Sequence, residues 1–127
     1  MRTIILDSEE DILELLTYTL SQAEFQIEGF HDYEEFLVRK LAPPPQLIIV
    51  GNTHPSDTQI DICTKIRAVP DYADTVLICL TTSQVQCDVQ SSDCKEIDGC
   101  VLTPILPKDL VKRINEVLNQ KLSLASS

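Results

Sequence analysis

Glycine is scarce in this chain, with three in 127 residues, at Gly29, Gly51 and Gly99. None lies near enough to another to build a G-x-G-x-x-G or G-x-x-x-x-G-K loop, in which backbone amides cradle phosphate. No Ser or Cys sits in a nucleophile-elbow motif either. The chain is therefore not expected to be an enzyme, and no cofactor is expected. Long apolar runs are also missing: none approaches the roughly 20 residues of a membrane-spanning helix. The opening, Met1 to Asp7, is too short in apolar length for a secretory signal and reads as a first strand, which points to the cytoplasm. Basic residues are few, ten against twenty acidic ones, for a net charge of −10. Such a surface is repelled by nucleic-acid phosphates and anionic lipid, so neither nucleic acid nor a membrane is an expected partner. The five cysteines (Cys63, Cys79, Cys87, Cys94, Cys100) include no C-x-x-C pair, and His31 and His54 lie apart from them. No metal site is expected.

What is present is a regular alternation. Short apolar runs, rich in Ile, Val and Leu, occur at Thr3–Leu6, Phe25–Gly29, Gln46–Val50, Thr75–Leu80 and Gly99–Thr103. Continuous rather than alternating apolarity predicts parallel strands covered on both faces. Helix-period segments lie between them: Ile12, Leu16 and Leu20, widened by Leu13 and Leu15; then Ile62, Ile66 and Val69; finally Leu110, Ile114, Val117 and Leu118. Acidic Glu9-Glu10-Asp11 after Asp7-Ser8 suits a helix start, Pro107 opens the last helix, His31 the second, and Ala42-Pro43-Pro44-Pro45 ends the second. The pattern predicts one α/β domain over 1–120, a doubly wound five-stranded parallel sheet in a three-layer sandwich. Residues 121–127 read as a fraying tail. Ligand chemistry belongs at the carboxyl ends of the strands. The segment Gln84 to Lys95 (QVQCDVQSSDCK) has few helix formers and little apolar face beyond Val85 and Val89. It predicts a short or mobile fourth helix.

Three stretches resemble response-regulator receiver domains of the CheY-like, flavodoxin-like (βα)5 kind. They are DSEEDILELL near the start, LIIVGNTHPSDTQIDICTKIR from Leu47 to Arg67, and the final LTPILPKDLVKRI. Pro55, Cys63, Ile66 and Arg67 fall where that pattern wants them. The resemblance runs from about Arg2 to Leu118, and Thr81 to Thr103 needs no gap.

The resemblance implies a phosphoacceptor Asp at the end of the third strand, a pair of acids after the first, and a Thr or Ser after the fourth. It also implies a Lys after the fifth strand, with Mg²⁺ held by the acids. Here Asp7 matches the first acid and Thr81, followed by Thr82, the hydroxyl. Ser8 stands in place of the second acid, Gly51 in place of the acceptor and Thr103, before Pro104, in place of the Lys. Cys100 takes the position of an aromatic that moves with the hydroxyl. A glycine cannot form an acyl phosphate. Asp57 lies too far along the loop to substitute, Glu9 is expected to cap or face water, and His54 to be exposed. Asp7 is left with hydroxyl neighbours: Ser8, with Thr81 or Thr103. Thr81 and Thr82 equally suit helix capping.

A vestigial pocket of Asp7, Ser8, Gly51, Thr81 and Thr103 thus implies a pseudo-receiver in two-component or phosphorelay signalling, acting through protein contacts without phosphorylation. The partner implied is a signalling protein, such as one related to histidine kinases, or a second copy in a homodimer. The family's fourth-helix, fifth-strand and fifth-helix face maps to Val89, Cys94, Lys108, Val111 and Lys112. An alternative is a redox- or ligand-gated sensor. Cys87 and Cys94, two helical turns apart, are its redox candidates, and the vacated acidic pocket its ligand site. Cys63, Cys79 and Cys100 read as small core residues, with Cys79 and Cys100 neighbours where the last two strands pair.

Overall fold

The computed structural model describes residues 1–39, 43–52 and 58–125. Ala42, His54, Pro55 and Asp57 lie outside the described residues. Each apolar run forms a strand: β1 (Arg2–Leu6), β2 (Gln26–Phe30), β3 (Leu47–Val50), β4 (Val76–Thr81) and β5 (Gly99–Leu102). Between them stand α1 (Glu10–Ser21), α2 (Tyr33–Arg39), α3 (Gln59–Arg67), α4 (Gln84–Asp93) and α5 (Pro107–Ala125). All four strand pairings are parallel, in the order β2-β1-β3-β4-β5. Every residue of β3 and β4 is buried, which is why those runs carry no polar alternation.

Successive side chains point to opposite faces and feed two cores. Ile5, Ile49, Ile78 and Val101 meet Leu13, Leu16 and Leu20 of α1 and Leu110, Ile114, Val117 and Leu118 of α5. Ile4, Leu6, Ile48, Val50 and Leu77 meet Phe36 of α2 and Ile62, Cys63 and Ile66 of α3. Leu15, expected to widen the α1 face, is instead 58% exposed. At 100° per residue it sits well away from the arc shared by Leu13, Leu16 and Leu20.

Two further segments are helical over more residues than the pattern suggested. Residues 121–125 continue α5 to Ala125. Lys121 anchors that end, with Nζ 3.1 Å from Asp98 Oδ2. Asp98 also pairs with Arg67, whose guanidinium donates to the carbonyls of Tyr72, Ala73, Thr75 and Glu96 at the amino end of the sheet. The fourth helix is not short: it runs ten residues, with the Ser83 hydroxyl accepting from Gln86 N at 3.1 Å. Its valines do not face the sheet. Val85 is 74% and Val89 41% exposed, while Cys87 and Gln90 point inward.

Candidate functional site

Parallel strands bring their carboxyl ends to one edge, so the residues after β1, β3, β4 and β5 meet there. The mouth is tied together by backbone bonds: Gly51 N to Leu6 O at 2.8 Å, Ser8 N to Asn52 O at 2.8 Å and Thr103 N to Thr81 O at 2.8 Å. Of the residues expected here, Asp7, Gly51, Thr81 and Thr103 do converge, lining one cleft of about 490 Å³. Ser8 is exposed at its edge.

Asp7 is 1% exposed and forms the floor. Its Oδ1 accepts from Glu9 N at 2.8 Å and its Oδ2 from Asn52 N at 3.2 Å, with Asn52 Nδ2 at 3.5 Å from both oxygens. The expected hydroxyl partners are thus replaced by amides. The first turn of α1 and the residue after Gly51 present N–H groups to a carboxylate that must be satisfied once buried. A Cβ built on Gly51 would collide with Asp7 Oδ2 and lie 3.1 Å from its Cγ. The carboxylate therefore occupies the space into which any side chain at 51 would begin.

Thr81 is 9% exposed; its hydroxyl accepts from Ser83 N at 3.2 Å and donates to Gln86 Oε1 at 3.2 Å. The hydroxyl thus satisfies the loop amide ahead of α4, whose own N-cap is Ser83. Thr103 Oγ1 donates to Thr81 O at 3.3 Å, and the following Thr103–Pro104 peptide is cis. Thr82 is exposed, and so is Glu9 on the rim. The rest of the cleft is mostly apolar: Ile12, Leu15, Leu16, Leu80, Ile105 and Leu110 among others, with no Lys or Arg among its described lining residues. A Mg²⁺ ion of the kind the resemblance implies does not fit this donor set. One carboxylate is committed to amides and the other faces solvent, whereas the ion surrenders its waters only to several oxygens at once.

Sequence reasoning missed the buried polar seam beneath this mouth. Gln59, at the start of α3 and 6% exposed, donates Nε2 to Val50 O at 3.1 Å, to Gly51 O at 2.7 Å and to Leu80 O. Its Oε1 accepts from Gln90 Nε2 at 2.9 Å and Gln86 Nε2 at 3.3 Å, both on α4. Gln90 is fully buried, and its Oε1 lies 3.3 Å from Cys100 Sγ on β5. Glutamine occurs on any helix surface, so only its spacing within QVQCDVQ hinted at an inward polar stripe.

The cysteines sort into pairs. Cys79 and Cys100 are register partners, as expected of β4 and β5. Cys63 and Cys79 are core residues with sulfurs 3.6 Å apart. The hydrogen bond with Cys63, followed by burial, pushes the Cys79 thiol well above the ordinary cysteine range. Cys100 differs from the expectation of a plain core residue: it is bonded to Cys87, with Cα atoms 5.6 Å apart. The two redox candidates, Cys87 and Cys94, are not paired with each other here. Seven residues of helix separate those Cα atoms by roughly 10 Å along the axis, beyond disulfide reach. Cys94 instead sits half-buried against the α3 core. On the expected docking face, Val89, Lys108 and Lys112 are exposed and Val111 is half-buried. The structure adds Val85, Leu102 (39% exposed) and Leu106 (60% exposed). Among the described residues no group of three acids, histidines or cysteines is placed to hold a metal ion, and no helix is long and apolar enough to cross a membrane.

No protein-family model and no curated protein matches the chain. Solved structures do. The chemotaxis response regulator CheY4 of Vibrio cholerae superposes with a TM-score of 0.80 at 22% identity, over 91% of this chain and 97% of that one. A CheY-like receiver domain protein from Methanospirillum hungatei gives 0.79 at 20% identity, over 96% of each chain. The receiver domain of a signal transduction histidine kinase from Syntrophus aciditrophicus gives 0.77 at 22% identity, over 94% and 90%. The fold is that of CheY-like receiver domains, as the resemblance implied; the pattern alone had predicted its doubly wound parallel sheet.

Proposed function

We propose that the chain is a receiver-fold signalling module of the two-component kind that works by protein contact and carries no phosphoryl transfer. One observation bears most of the weight: the Asp7 carboxylate fills the place where a side chain at position 51 would start. The absent acceptor is thus built into the packing of the mouth. Among its described lining residues the cleft has no cation to bind phosphoryl oxygens, and the Thr81 hydroxyl is engaged with Ser83 N and Gln86. On this reading no residue is catalytic, and output comes from the face around α4, β5 and α5. There exposed Val85, Val89, Leu102 and Leu106 lie in a chain region flanked by Lys108 and Lys112. The partner is a signalling protein with a complementary apolar patch, or a second copy of this chain.

The test is direct. Purified protein incubated with acetyl phosphate and Mg²⁺ should keep its unmodified mass, and beryllofluoride should leave its amide spectrum unchanged. Gly51→Asp should not gain phosphorylation, because Ser8 and Thr103 supply neither the second acid nor the cation. A stable phosphoryl adduct on the unaltered chain would end the proposal. In affinity capture from the source cells, Val89→Ser with Leu106→Ser should release whatever the unaltered chain retains.

A second reading, ligand gating, is favoured by the cleft itself, whose volume and apolar walls suit a small molecule. Its two carboxylates favour a neutral or cationic ligand. Substituting Leu16 or Leu110 by Phe to fill the cleft, with output unchanged, would remove this reading.

A further inference from the structure

The inward face of α4 offers almost nothing apolar. Among its described side chains only Cys87 and Gln90 are buried, and its two valines face out. The helix is therefore held to the sheet by the amides of Gln86 and Gln90 on Gln59 and by the bond from Cys87 to Cys100. Gln90 Oε1, fully buried, lies where a Cys100 thiol would donate to it. The site is thus equipped for both states of the pair: Cα atoms 5.6 Å apart, within disulfide reach, and an acceptor for the thiol when the bond is open. The other buried pair is not so equipped. Cys63 and Cys79 stand at hydrogen-bond separation, sulfurs 3.6 Å apart, and the bond with Cys63 and burial keep the Cys79 thiol protonated.

We propose that Cys87–Cys100 is a reversible oxidative clip that fixes α4 against β5, and that its reduction loosens α4. Oxidation by hydrogen peroxide balances as follows. The Cys87 thiolate, on the first turn of α4 and the more exposed of the two at 9% against 5%, attacks one peroxide oxygen. The O–O bond breaks, giving a sulfenic acid and water. The Cys100 sulfur then attacks that sulfur, the S–S bond forms and a second water leaves with both thiol protons accounted for. A low-molecular-weight thiol reverses the step by exchange and leaves as its own disulfide. Control of docking by the clip rests on the reading of the α4 face given above; the clip itself does not.

The experiment uses the whole chain, reduced and then treated with peroxide. Proteolysis after alkylation should show the oxidised protein two hydrogens lighter, with Cys87 linked to Cys100 and Cys63, Cys79 and Cys94 alkylated once unfolded. Amide exchange over residues 84–93 should be roughly tenfold slower in the oxidised form. Cys87→Ser should show the fast exchange under both conditions, and Cys94→Ala should behave as the unaltered chain. Five alkylated cysteines after peroxide, a link to Cys94, or equal exchange in the two forms would overturn the clip. If Val89→Ser leaves partner capture unchanged while these signatures persist, the docking reading fails and the clip stands.

Discussion

Two helices flank β5, and they are held to the sheet by different physics. α5 buries Leu110, Ile114, Val117 and Leu118 and presses Val117 so closely on Gly99 that a Cβ there would come within 2.6 Å. α4, on the opposite face, buries Gln90 and Cys87 and turns its valines outward. Apolar burial is non-directional and indifferent to redox state. A seam of amides and one sulfur bond depends on geometry and chemistry, and can be switched. On the proposed reading, the helix at the docking face is the one with switchable anchors.

The largest expected effect tests the rigid side. Ile114→Ala on α5 removes a fully buried side chain and should cost about 3 kcal/mol of unfolding free energy in urea titration. A cost under about 1 kcal/mol would mean that α5 is no better anchored than α4.

Next comes the seam. Gln59→Leu keeps volume but removes the donor to Val50 O, Gly51 O and Leu80 O and the acceptor for Gln86 and Gln90. Leaving buried groups without partners should cost about 2 kcal/mol, with faster amide exchange in α4. A neutral result would show that water satisfies the seam and that α4 is held otherwise.

The Cys63/Cys79 pair predicts a pH dependence. The Cys79 thiol is raised by its bond with Cys63 and by burial, so the native state keeps a proton that the unfolded chain loses. This contribution is fully present below about pH 8.5, the value for a free thiol. Above that the unfolded state gains from deprotonation and the native state does not. Stability should fall by about 1.4 kcal/mol per pH unit, and Cys79→Ala should remove one such increment of slope between about pH 8.5 and 10. An unchanged slope would mean that the thiol ionises in place.

How far the chain could be read from its letters follows the same division. All five strands and the buried faces of α3 and α5 were legible, because continuous runs such as Leu47 to Val50 and the spacing of Leu110, Ile114 and Val117 encode burial directly. That Gly51 closes the third strand at the mouth was legible too. The partners of Asp7 were not: Asn52 supplies them through a loop amide, and loop geometry leaves no periodic signal. Nor was the seam, since Gln59 and Gln90 look like surface residues until a helix is docked. Hydrophobic pattern misread α4 in another way: it found little apolar face beyond Val85 and Val89 and took the helix for a weak one, because it does not register burial that is polar.

That misreading sets the smallest predicted effect and the most discriminating one. If α4 owes nothing to its valines, Val85→Ser with Val89→Ser should change unfolding free energy by no more than about 0.5 kcal/mol, as expected of exposed positions with similar helix propensity. Circular dichroism and urea titration suffice. A loss above about 1 kcal/mol would place apolar packing on that face, and the contrast between the two helices would narrow to one of degree. A neutral result leaves two exposed valines, at 74% and 41%, with no role in holding the fold.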